Sequence, residues 1–327
     1  MDNLLFSIFQ QLNHSDYLQN STIQKNLNIS RATVLSGIDC LRNKYNISII
    51  AHELIGYRLA SPIILLNKKF LQSALDKYQV KINYFVSVRS TNEYLHTIND
   101  TTDHIVLAEH QYLGYGRFFR QWFSPFGENV YFSLKTFLSK NSNKLQGLGL
   151  CVATSVAQVL KIYVKNKTDI KIKWPNDVYI DGKKISGNLV HINSENNNQS
   201  HLIIGIGINV NMLNAPLLKF PWTSLQKTVG YYIDRNYIIL HLFRCLSKNL
   251  KIFEKFGMSA FRNFCYEHDY LINKSVTIKR FKNVISHGIA QGIDENGCLL
   301  ILQPGLQKIQ RFCEGSVSLN VQDRLIS

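Results

Sequence analysis

The stretch IKIKWPNDVYIDGKKISGNLVHI, residues 170–192, carries the clearest fold signal in the chain. Apolar and polar residues alternate along it, and Asp181–Gly182 stands between the alternating segments. An Asp-Gly pair in this setting favours a tight β-hairpin turn. Lys173 ends the first strand, and the tip that follows offers the amide of Asn176 and the carboxylate of Asp177. The alternatives are a strand with an ordinary polar turn, or a site that binds a magnesium–phosphate group or orients an amine.

The sequence on both sides of this hairpin alternates between strand-like and helix-like stretches, from Ile82 to about Val210. HIVLAEHQ, NVYFSLKTFL and HLIIGIGINVNM are typical of strands, and LGLCVATSVAQVLKIYV is typical of a buried amphipathic helix. Helical patterns resume at about 234–265, and short strands and turns follow from about Asn273. We therefore predict an α+β (α/β-like) domain with a mixed sheet, followed by a small β-barrel-like domain.

The first 60 residues have a different pattern. Three helical stretches, DNLLFSIFQQL, NSTIQKNLNI and SRATVLSGIDCLRNKY, precede ISIIAHELIGYRLA, which predicts two strands around a turn. Three helices and a β-wing describe a winged helix-turn-helix, with the third helix as the recognition helix and Ser30 as its cap. The alternative is a small packing module that does not touch DNA. The residues placed to contact DNA are Lys25, Arg31, Thr33 and Arg42.

Composition limits the classes of protein to which the chain can belong. Its 327 residues carry a net charge of +15. Such a charge favours binding to anionic partners, and the alternative is a basic protein that has no anionic partner. Six scattered cysteines without a CxxC pair predict reduced, mostly buried thiols. The N-terminal sequence lacks the basic leader of a signal peptide, and no apolar run is long enough to span a bilayer. We therefore expect a soluble, cytoplasmic protein.

The segment YLGYGRFFRQWFSP, residues 112–125, combines glycines, arginines and aromatic residues, and is called the flap below. Gly114 and Gly116 allow close backbone approach, and freed N–H groups in such a loop bind anions. Arg117 and Arg120 supply donors suited to phosphate or carboxylate. The alternative is an ordinary surface loop with two solvated arginines, which a lone G-x-G-R motif would favour. The flap is therefore predicted to close over a partly apolar ligand that carries a phosphate.

Two further stretches contain candidate binding residues. GIGINV, residues 205–210, predicts a buried strand whose glycines and Asn209 allow a nucleotide to approach closely. In SVRSTNEYL, the short polar side chains either hydrogen-bond a ligand or cap the next helix. These side chains are Ser90, Thr91 and Asn92.

Together, RSTNEYL, AEHQYLGYGRFFRQWFSPFGENVYFSL, KIKWPNDVYIDGKKISGNLV and IGIGINVN closely resemble the biotin–protein ligases. The N-terminal pattern makes the resemblance specific to the bifunctional type, biotin–[acetyl-CoA-carboxylase] ligase and biotin operon repressor. The resemblance covers essentially the whole chain. It implies a winged helix-turn-helix over 1–63, a biotin- and ATP-binding catalytic domain over 64–270 and an SH3-like C-terminal domain over 271–327.

The resemblance also implies a reaction. Biotin and MgATP would give biotinyl-5′-AMP and pyrophosphate, and a lysine of the biotin carboxyl carrier protein would then take the biotin and release AMP. The adenylate complex would form a homodimer that binds operator DNA and represses biotin synthesis. One alternative is a biotin-sensing DNA-binding regulator without ligase turnover, and another is a ligase for lipoate or octanoate.

Residue roles follow from the same resemblance. Arg117 and Lys173 would be the catalytic residues. The carboxylate of Asp177 is the candidate Mg²⁺ ligand that the turn after Lys173 itself offers. The residues implied for biotin are Ser90, Thr91, Asn92, Gln111, Gly114, Gly116, Arg117, Lys173 and Gly187. Those implied for ATP and the adenylate are Arg117, Arg120, Trp122, Lys173, Asn176, Asn209 and Trp222.

The flap departs from the family pattern, which often reads G-R-G-R-R-G-R. Tyr115 and Phe118 stand in place of arginines, and Phe119 stands in place of a glycine. We therefore expect a flap that is less basic and stiffer, with weaker coupling of adenylate binding to dimerisation. Asn188 and His191 also replace an aliphatic residue and an acid of the family.

Overall fold

The computed structural model describes residues 1, 3–14, 16–139, 145–165, 168–194, 200–216, 218, 220–280, 283–303, 305 and 308–319. Within these residues, an N-terminal helical module precedes a central mixed sheet and a C-terminal antiparallel sheet. In the same part of the chain, no helix has both the length and the apolar character needed to cross a membrane.

The N-terminal module contains the predicted helices and hairpin. They are α1 (Asn3–Leu12), α2 (Asn20–Leu27), α3 (Arg31–Tyr45), β1 (Ile49–His52) and the antiparallel β2 (Gly56–Leu59). Ser30 caps α3 as predicted, because its side chain accepts from the N–H of Thr33. The apolar faces enclose a core separate from that of the sheets, and Phe126 from just after the flap also enters this core.

The central sheet is mixed, as predicted. Its strands are β3 (Lys81–Phe85), β4 (His104–Ala108), β5 (Val130–Leu138), β6 (Ile170–Lys173), β7 (Asp177–Ile180), β8 (Lys183–Ser194) and β9 (Ser200–Ile208), in the order β3-β4-β5-β9-β8-β7-β6. The pair β3–β4 is parallel, and the other neighbours are antiparallel.

Helices cover both faces of this sheet. The helices around it are α4 (Lys68–Leu75), α5 (Thr91–Leu95), α6 (Leu148–Tyr163), α7 (Leu225–Val229), α8 (Arg235–Phe256) and α9 (Arg262–Glu267). Helices α6 and α8 pack together over one face, on the main apolar core. Helix α5 lies on the other face, where Leu95 packs with Val106 and Ile203. Both faces of the sheet can carry apolar side chains because neighbouring residues of a strand point to opposite faces.

The segment 170–192 forms two successive hairpins rather than one. The Asp-Gly turn joins β7 to β8 as predicted, with φ angles of 46° at Asp181 and 73° at Gly182. Positive φ at both central residues is what a type I′ turn requires. A second turn, with three residues between the strands, joins β6 to β7, and its Trp174–Pro175 peptide bond is cis. This turn places Lys173 and Asp177 opposite each other at the sheet edge.

The C-terminal residues form an antiparallel sheet that shares the main core. Its strands are β10 (Ser275–Arg280), β11 (Asn283–Ile293), β12 (Leu299–Gln303), β13 (Lys308–Phe312) and β14 (Ser316–Leu319), in the order β13-β12-β11-β10-β14. Val276 and Ile278 belong to the same apolar cluster as the central sheet. The closure of this sheet into an SH3-like barrel remains a prediction, as do the exact domain boundaries.

The prediction that all six cysteines are reduced is wrong for one pair. Cys298 and Cys313 form a disulfide. The register explains this, because Leu299 lies opposite Phe312 in the β12–β13 pair and the residues just outside them therefore face each other. The other described cysteines are free, and Cys151 and Cys265 among them are buried.

A buried ion pair fixes the segment that leads from the N-terminal module to the sheet. The guanidinium of Arg235 lies 2.7 Å from the carboxylate of Glu109, and both side chains are fully buried. Arg235 also donates to the Ile64 carbonyl at 2.8 Å, and Glu109 accepts from the Leu66 N–H at 2.6 Å. The connecting segment is therefore bound along its backbone rather than free to swing.

Replacing Arg235 with methionine leaves the Glu109 carboxylate buried without its cation. We expect the free energy of unfolding, measured by urea denaturation, to fall by about 3–5 kcal/mol. The double variant R235M/E109Q leaves no charge buried and should lose less stability than R235M alone. An equal or larger loss in the double variant would contradict the proposed charge compensation.

Candidate functional site

A cavity of about 260 Å³ opens between the flap, the start of α5 and strands β5 to β9. It lies on the face of the central sheet that carries α5. The structure brings together along its lining Ser90, Thr91, Asn92, Gln111, Gly116, Arg117, Arg120, Trp122, Lys173, Asn176, Asp177 and Gly187. Three other residues predicted to bind biotin or ATP do not line it, namely Gly114, Asn209 and Trp222.

The floor of the cavity is made of glycines because aromatic and amide groups lie directly on the strands. A Cβ on Gly207 would lie 2.5 Å from the Trp122 ring, and one on Gly205 would lie 2.8 Å from the Asn92 side chain. Both distances are too short for any side chain. The GIGINV motif therefore supplies space, and it does so for neighbouring protein groups as well as for the cavity.

One end of the cavity is neutral and polar. The N–H and hydroxyl of Thr91 donate to the side-chain oxygen of Gln111 at 2.8 and 3.1 Å, and Ser133 donates to Thr91 at 2.8 Å. Ser90 caps α5 and also lines the cavity, so the cap is confirmed and a hydrogen bond from Ser90 to a ligand stays a prediction. Both polar atoms of the Asn92 amide are buried and have no hydrogen-bond partner within the described residues. This end therefore has unused hydrogen-bonding capacity.

The flap folds over the cavity as a closed hairpin. The N–H of Gly116 donates to the Arg120 carbonyl at 2.8 Å, and the N–H of Trp122 donates to the Gly114 carbonyl at 2.8 Å. Burial lowers the pKa of the Arg117 guanidinium below its ordinary value, and the Asp177 carboxylate opposes this shift. The Asp177 carboxylate therefore favours the charged form of Arg117.

The other end of the cavity is cationic. Lys173 ends β6, with its ammonium 5.6 Å from the Tyr179 ring centre. The ammonium of Lys184 lies 2.7 Å from the Asp177 carboxylate and 5.6 and 5.4 Å from the ring centres of Trp122 and Phe220. These lysines join Arg117 and Arg120 of the flap, so the positive charge is concentrated at this end.

Sequence reasoning missed Lys184. In a regular strand, Lys184 and Gly187 would point to opposite faces, because their numbers differ by an odd count. The pairing of β7 with β8 contains a bulge, in which Val178 faces Ser186 while Tyr179 faces Lys184. The extra residue reverses the alternation and brings Lys184 and Gly187 to the same side. The repeated lysines after the Asp-Gly turn were the available signal.

The predicted magnesium ligand already has a partner. Asp177 forms an ion pair with Lys184, and its side chain is only 22% exposed. In the part of the chain that the structure describes, no group of three or more histidine, cysteine or acidic side chains is placed to hold a metal ion. A role of Asp177 in binding Mg²⁺ thus remains a prediction, and its observed role is to hold Lys184.

Two of the residues predicted to bind ATP, Asn209 and Trp222, lie outside the cavity lining. The side-chain amide of Asn209 is buried and donates to the Thr223 carbonyl at 3.0 Å, so it stabilises the strand end. Trp222 lines a shallow groove next to the cavity, and the ammonium of Lys227 covers its ring at 4.2 Å. Phe220 lines both the groove and the cavity and so connects the two.

The predicted DNA contacts divide into two groups. Lys25 and Arg31 are exposed. The N–H of Thr33 donates to the Ser30 cap at 3.1 Å, and Arg42 donates to the Ile49 carbonyl at 3.0 Å. Thr33 and Arg42, the second group, therefore have hydrogen-bond partners within the module.

Comparison with known proteins adds independent information. Residues 84–209 match the biotin/lipoate A/B protein ligase family, and residues 271–319 match the biotin protein ligase C terminal domain. The chain is 31% identical over 317 residues to the bifunctional ligase/repressor BirA of Escherichia coli, with 96% of each chain covered. It is 29% identical over 316 residues to the Bacillus subtilis protein of the same name, with 93% of this chain and 95% of the relative covered.

Solved structures agree with these matches. The biotin protein ligase of Aquifex aeolicus, in complex with biotin and ATP, superimposes with a TM-score of 0.63 at 30% sequence identity. The comparison covers 73% of this chain and 98% of the Aquifex chain.

Replacing Gly207 with alanine should force the Trp122 ring off the strand. We expect the free energy of unfolding to fall by about 1–3 kcal/mol, the usual cost of overpacking, as measured by chemical denaturation. In a Trp122→Ala background, the same substitution should have little effect, because the ring is gone. As a control, Gly116→Ala adds the same methyl group where the nearest atom, the Arg120 carbonyl oxygen, would lie 3.9 Å away, and it should leave stability almost unchanged. Equal losses from Gly207→Ala in both backgrounds would refute the contact.

Proposed function

The chain belongs to the biotin protein ligase family, and we propose that the cavity is where it activates biotin with ATP. The chain is a biotin–protein ligase of the bifunctional ligase/repressor type. The observation that carries the function is the similarity to the Escherichia coli protein over 96% of both chains. The geometry adds that one cavity joins a neutral polar end to a cationic end, which matches a substrate with a ureido ring and a carboxylate.

The neutral end suits the ureido head of biotin. A ureido group has N–H donors and a carbonyl acceptor, and Ser90, Thr91 and Gln111 offer hydroxyl and amide partners around it. The unpartnered amide of Asn92 supports this orientation, because a buried polar group without a partner is unfavourable until a ligand satisfies it. Trp122 and the glycine floor would then contact the apolar rings and chain.

The cationic end suits the carboxylate of biotin and the phosphates of ATP. When a carboxylate oxygen attacks the α-phosphate and pyrophosphate leaves, charge spreads over the phosphoryl oxygens. Cations that are already in place stabilise this charge without reorganisation. We assign this role to Arg117, Arg120 and Lys173, with Lys184 as a fourth cation. ATP is taken as its magnesium complex, and the bound ion would lower the charge of the phosphates.

The second step transfers the biotinyl group. The amine of a carrier-protein lysine attacks the carbonyl carbon of the mixed anhydride, an amide bond forms, and AMP leaves. Water would destroy the anhydride, so a closed flap protects it until the amine arrives. The flap hairpin over the cavity supports this role.

Mass spectrometry of a biotin carboxyl carrier domain tests the activity. Incubation with the protein, biotin and MgATP should add one biotinyl group to one lysine. Lys173→Ala should lower the rate by at least about a hundredfold, the scale for removing one group that stabilises transition-state charge. Lys171→Ala, on the same strand but hydrogen-bonded to the Glu267 carbonyl, is the control and should stay active. Equal activity of the two variants would remove Lys173 from the mechanism.

A biotin sensor without turnover is the alternative, and pyrophosphate exchange separates the two. A ligase exchanges labelled pyrophosphate into ATP only when biotin is present, whereas a sensor without turnover gives no exchange. A ligase for lipoate or octanoate would exchange with those acids instead.

The N-terminal module supports a second function. We propose that residues 1–63 are a winged helix-turn-helix and that the adenylate complex binds operator DNA as a homodimer. The helices, the β1–β2 hairpin and the exposed Lys25 and Arg31 support this proposal. A two-fold symmetric dimer would present two copies of α3 to a palindromic site.

Arg31→Ala tests DNA binding by this module. Since Arg31 is exposed at the start of α3, its loss should weaken adenylate-dependent binding to the upstream region of the biotin operon and lower the salt slope by about one. Gel shifts at two salt concentrations measure both effects. Lys68→Ala, an exposed lysine on α4 outside the module, is the control. Unchanged binding by Arg31→Ala would contradict the role of α3.

A further inference from the structure

The disulfide between Cys298 and Cys313 lies at one end of the β12–β13 pair. Backbone pairing already aligns these strands from Leu299 opposite Phe312 onwards, so the bond is not needed to set their register. Cys298 is buried, whereas Cys313 is exposed. An exposed disulfide is open to attack by a thiol, and bonds of this kind are the ones that proteins use for regulation.

The Cys313 side of the bond leads directly to the cavity. Strand β13 ends at Phe312 and β14 begins at Ser316, so three residues connect two strands that lie at opposite edges of the C-terminal sheet. The chain between Phe312 and Ser316 can span at most about 14 Å. The sheet must therefore curve, and the disulfide fixes the point at which this short connection starts. Strand β14 then contributes Ser316 and Val317 to the cavity lining.

The Cys298 side of the bond reaches the cavity by another route. The residue before it, Gly297, accepts a buried hydrogen bond at 3.0 Å from the indole N–H of Trp174. A Cβ on Gly297 would lie 3.0 Å from the Gly147 backbone, so this turn packs directly against the start of α6. Trp174 lines the cavity and follows Lys173 in the chain. A displacement of the turn at Gly297 would therefore act on the strand end that carries Lys173.

The disulfide thus joins two parts of the cavity wall, the Trp174 turn and the start of β14. A covalent cross-link restricts the segments that it joins. We propose that Cys298 and Cys313 form a redox site that controls the ligase. The disulfide keeps both parts of the wall in place, and its reduction by a dithiol lowers the activity reversibly. This inference rests on the proposed function, because that function places the reaction in the cavity.

Reduction of the pair is a thiol–disulfide exchange with a dithiol. A thiolate of the dithiol attacks the sulfur of the exposed Cys313, a mixed disulfide forms, and Cys298 leaves as a thiolate. The second thiolate of the dithiol then closes a disulfide within the reductant and releases Cys313. Two electrons pass from the dithiol to the protein, and its two thiol protons end on Cys298 and Cys313.

Reversible reduction of the wild-type, full-length protein tests the control of activity. The probe is dithiothreitol, and alkylation followed by peptide mass spectrometry reports the thiol state of Cys298 and Cys313. We expect the rate of biotin-dependent pyrophosphate exchange to fall at least about tenfold on reduction, since small displacements of catalytic groups have effects of this size. Glutathione disulfide, added after the dithiothreitol is removed, should restore the rate.

Two variants assign the response to this pair. Cys313→Ser cannot form the bond, so it should have the rate of the reduced wild type and should not respond to dithiothreitol. Cys40→Ala is the control, because it removes a free cysteine of α3 and leaves the disulfide intact. It should respond to dithiothreitol as the wild type does.

Nuclear magnetic resonance tests the contact with the cavity wall without relying on ligase activity. The chain has three tryptophans and therefore three indole N–H groups. The Trp174 signal, assigned from its loss in Trp174→Phe, should shift on reduction, because its acceptor Gly297 adjoins Cys298. The signal of Trp222, which lines the neighbouring groove, should keep its position.

Three results would overturn the inference. They are an unchanged exchange rate when both cysteines are shown to be reduced, a loss that glutathione disulfide does not restore, and a Cys313→Ser variant that still responds to dithiothreitol. Failure of the proposed function gives a different result, because the wild type would then lack pyrophosphate exchange and biotin transfer in both redox states. The Trp174 signal would still report whether the disulfide acts on the cavity wall.

Discussion

The buried ion pair between Glu109 and Arg235 joins the three parts of the molecule that matter for function. Glu109 binds the segment that leads from the N-terminal module, and its backbone carbonyl accepts from Gly127 just after the flap. The next residue, His110, packs on Tyr45 of α3, with ring centres 4.9 Å apart. Burial lowers the pKa of His110 to about 4, so the ring is neutral at pH 7 and adds no second charge beside the pair. Gln111 follows and belongs to the cavity.

The cavity separates two kinds of chemistry along its length. Neutral hydroxyls and amides lie at the α5 end, whereas arginines and lysines lie at the other end. The chain carries a net charge of +15, so cations alone would not distinguish this site from its surface. The site differs from the surface because its cations are partly buried beside carboxylates. Lys184 lies next to Asp177, and their side chains are only 16% and 22% exposed. A partly desolvated cation interacts more strongly with phosphate than a solvated one does.

Local patterns in the sequence predicted much of this structure. The cap at Ser30, the Asp-Gly turn and the apolar helix α6 depend on neighbouring residues, so they could be derived from short windows. Features that depend on strand register were missed, because register is set by tertiary packing. The bulge that turns Lys184 towards the cavity is one example, and the pairing of Cys298 with Cys313 is another. Trp222 lines a neighbouring groove rather than the cavity, and its predicted contact with ATP stays a prediction.

The flap is attached at both ends to groups that also hold the N-terminal module. At one end His110 and Gln111 lie between Tyr45 and the cavity. At the other end Phe126 enters the core of the module, with its ring centre 5.0 Å from that of Phe9, and its N–H donates to the Tyr45 carbonyl at 3.4 Å. Tyr45 is the last residue of α3, the helix expected to read DNA. A packed core transmits displacement because it does not deform continuously. A change of flap conformation on ligand binding would therefore reach the end of α3 through His110 and Phe126, which lie just outside the flap and contact Tyr45 directly.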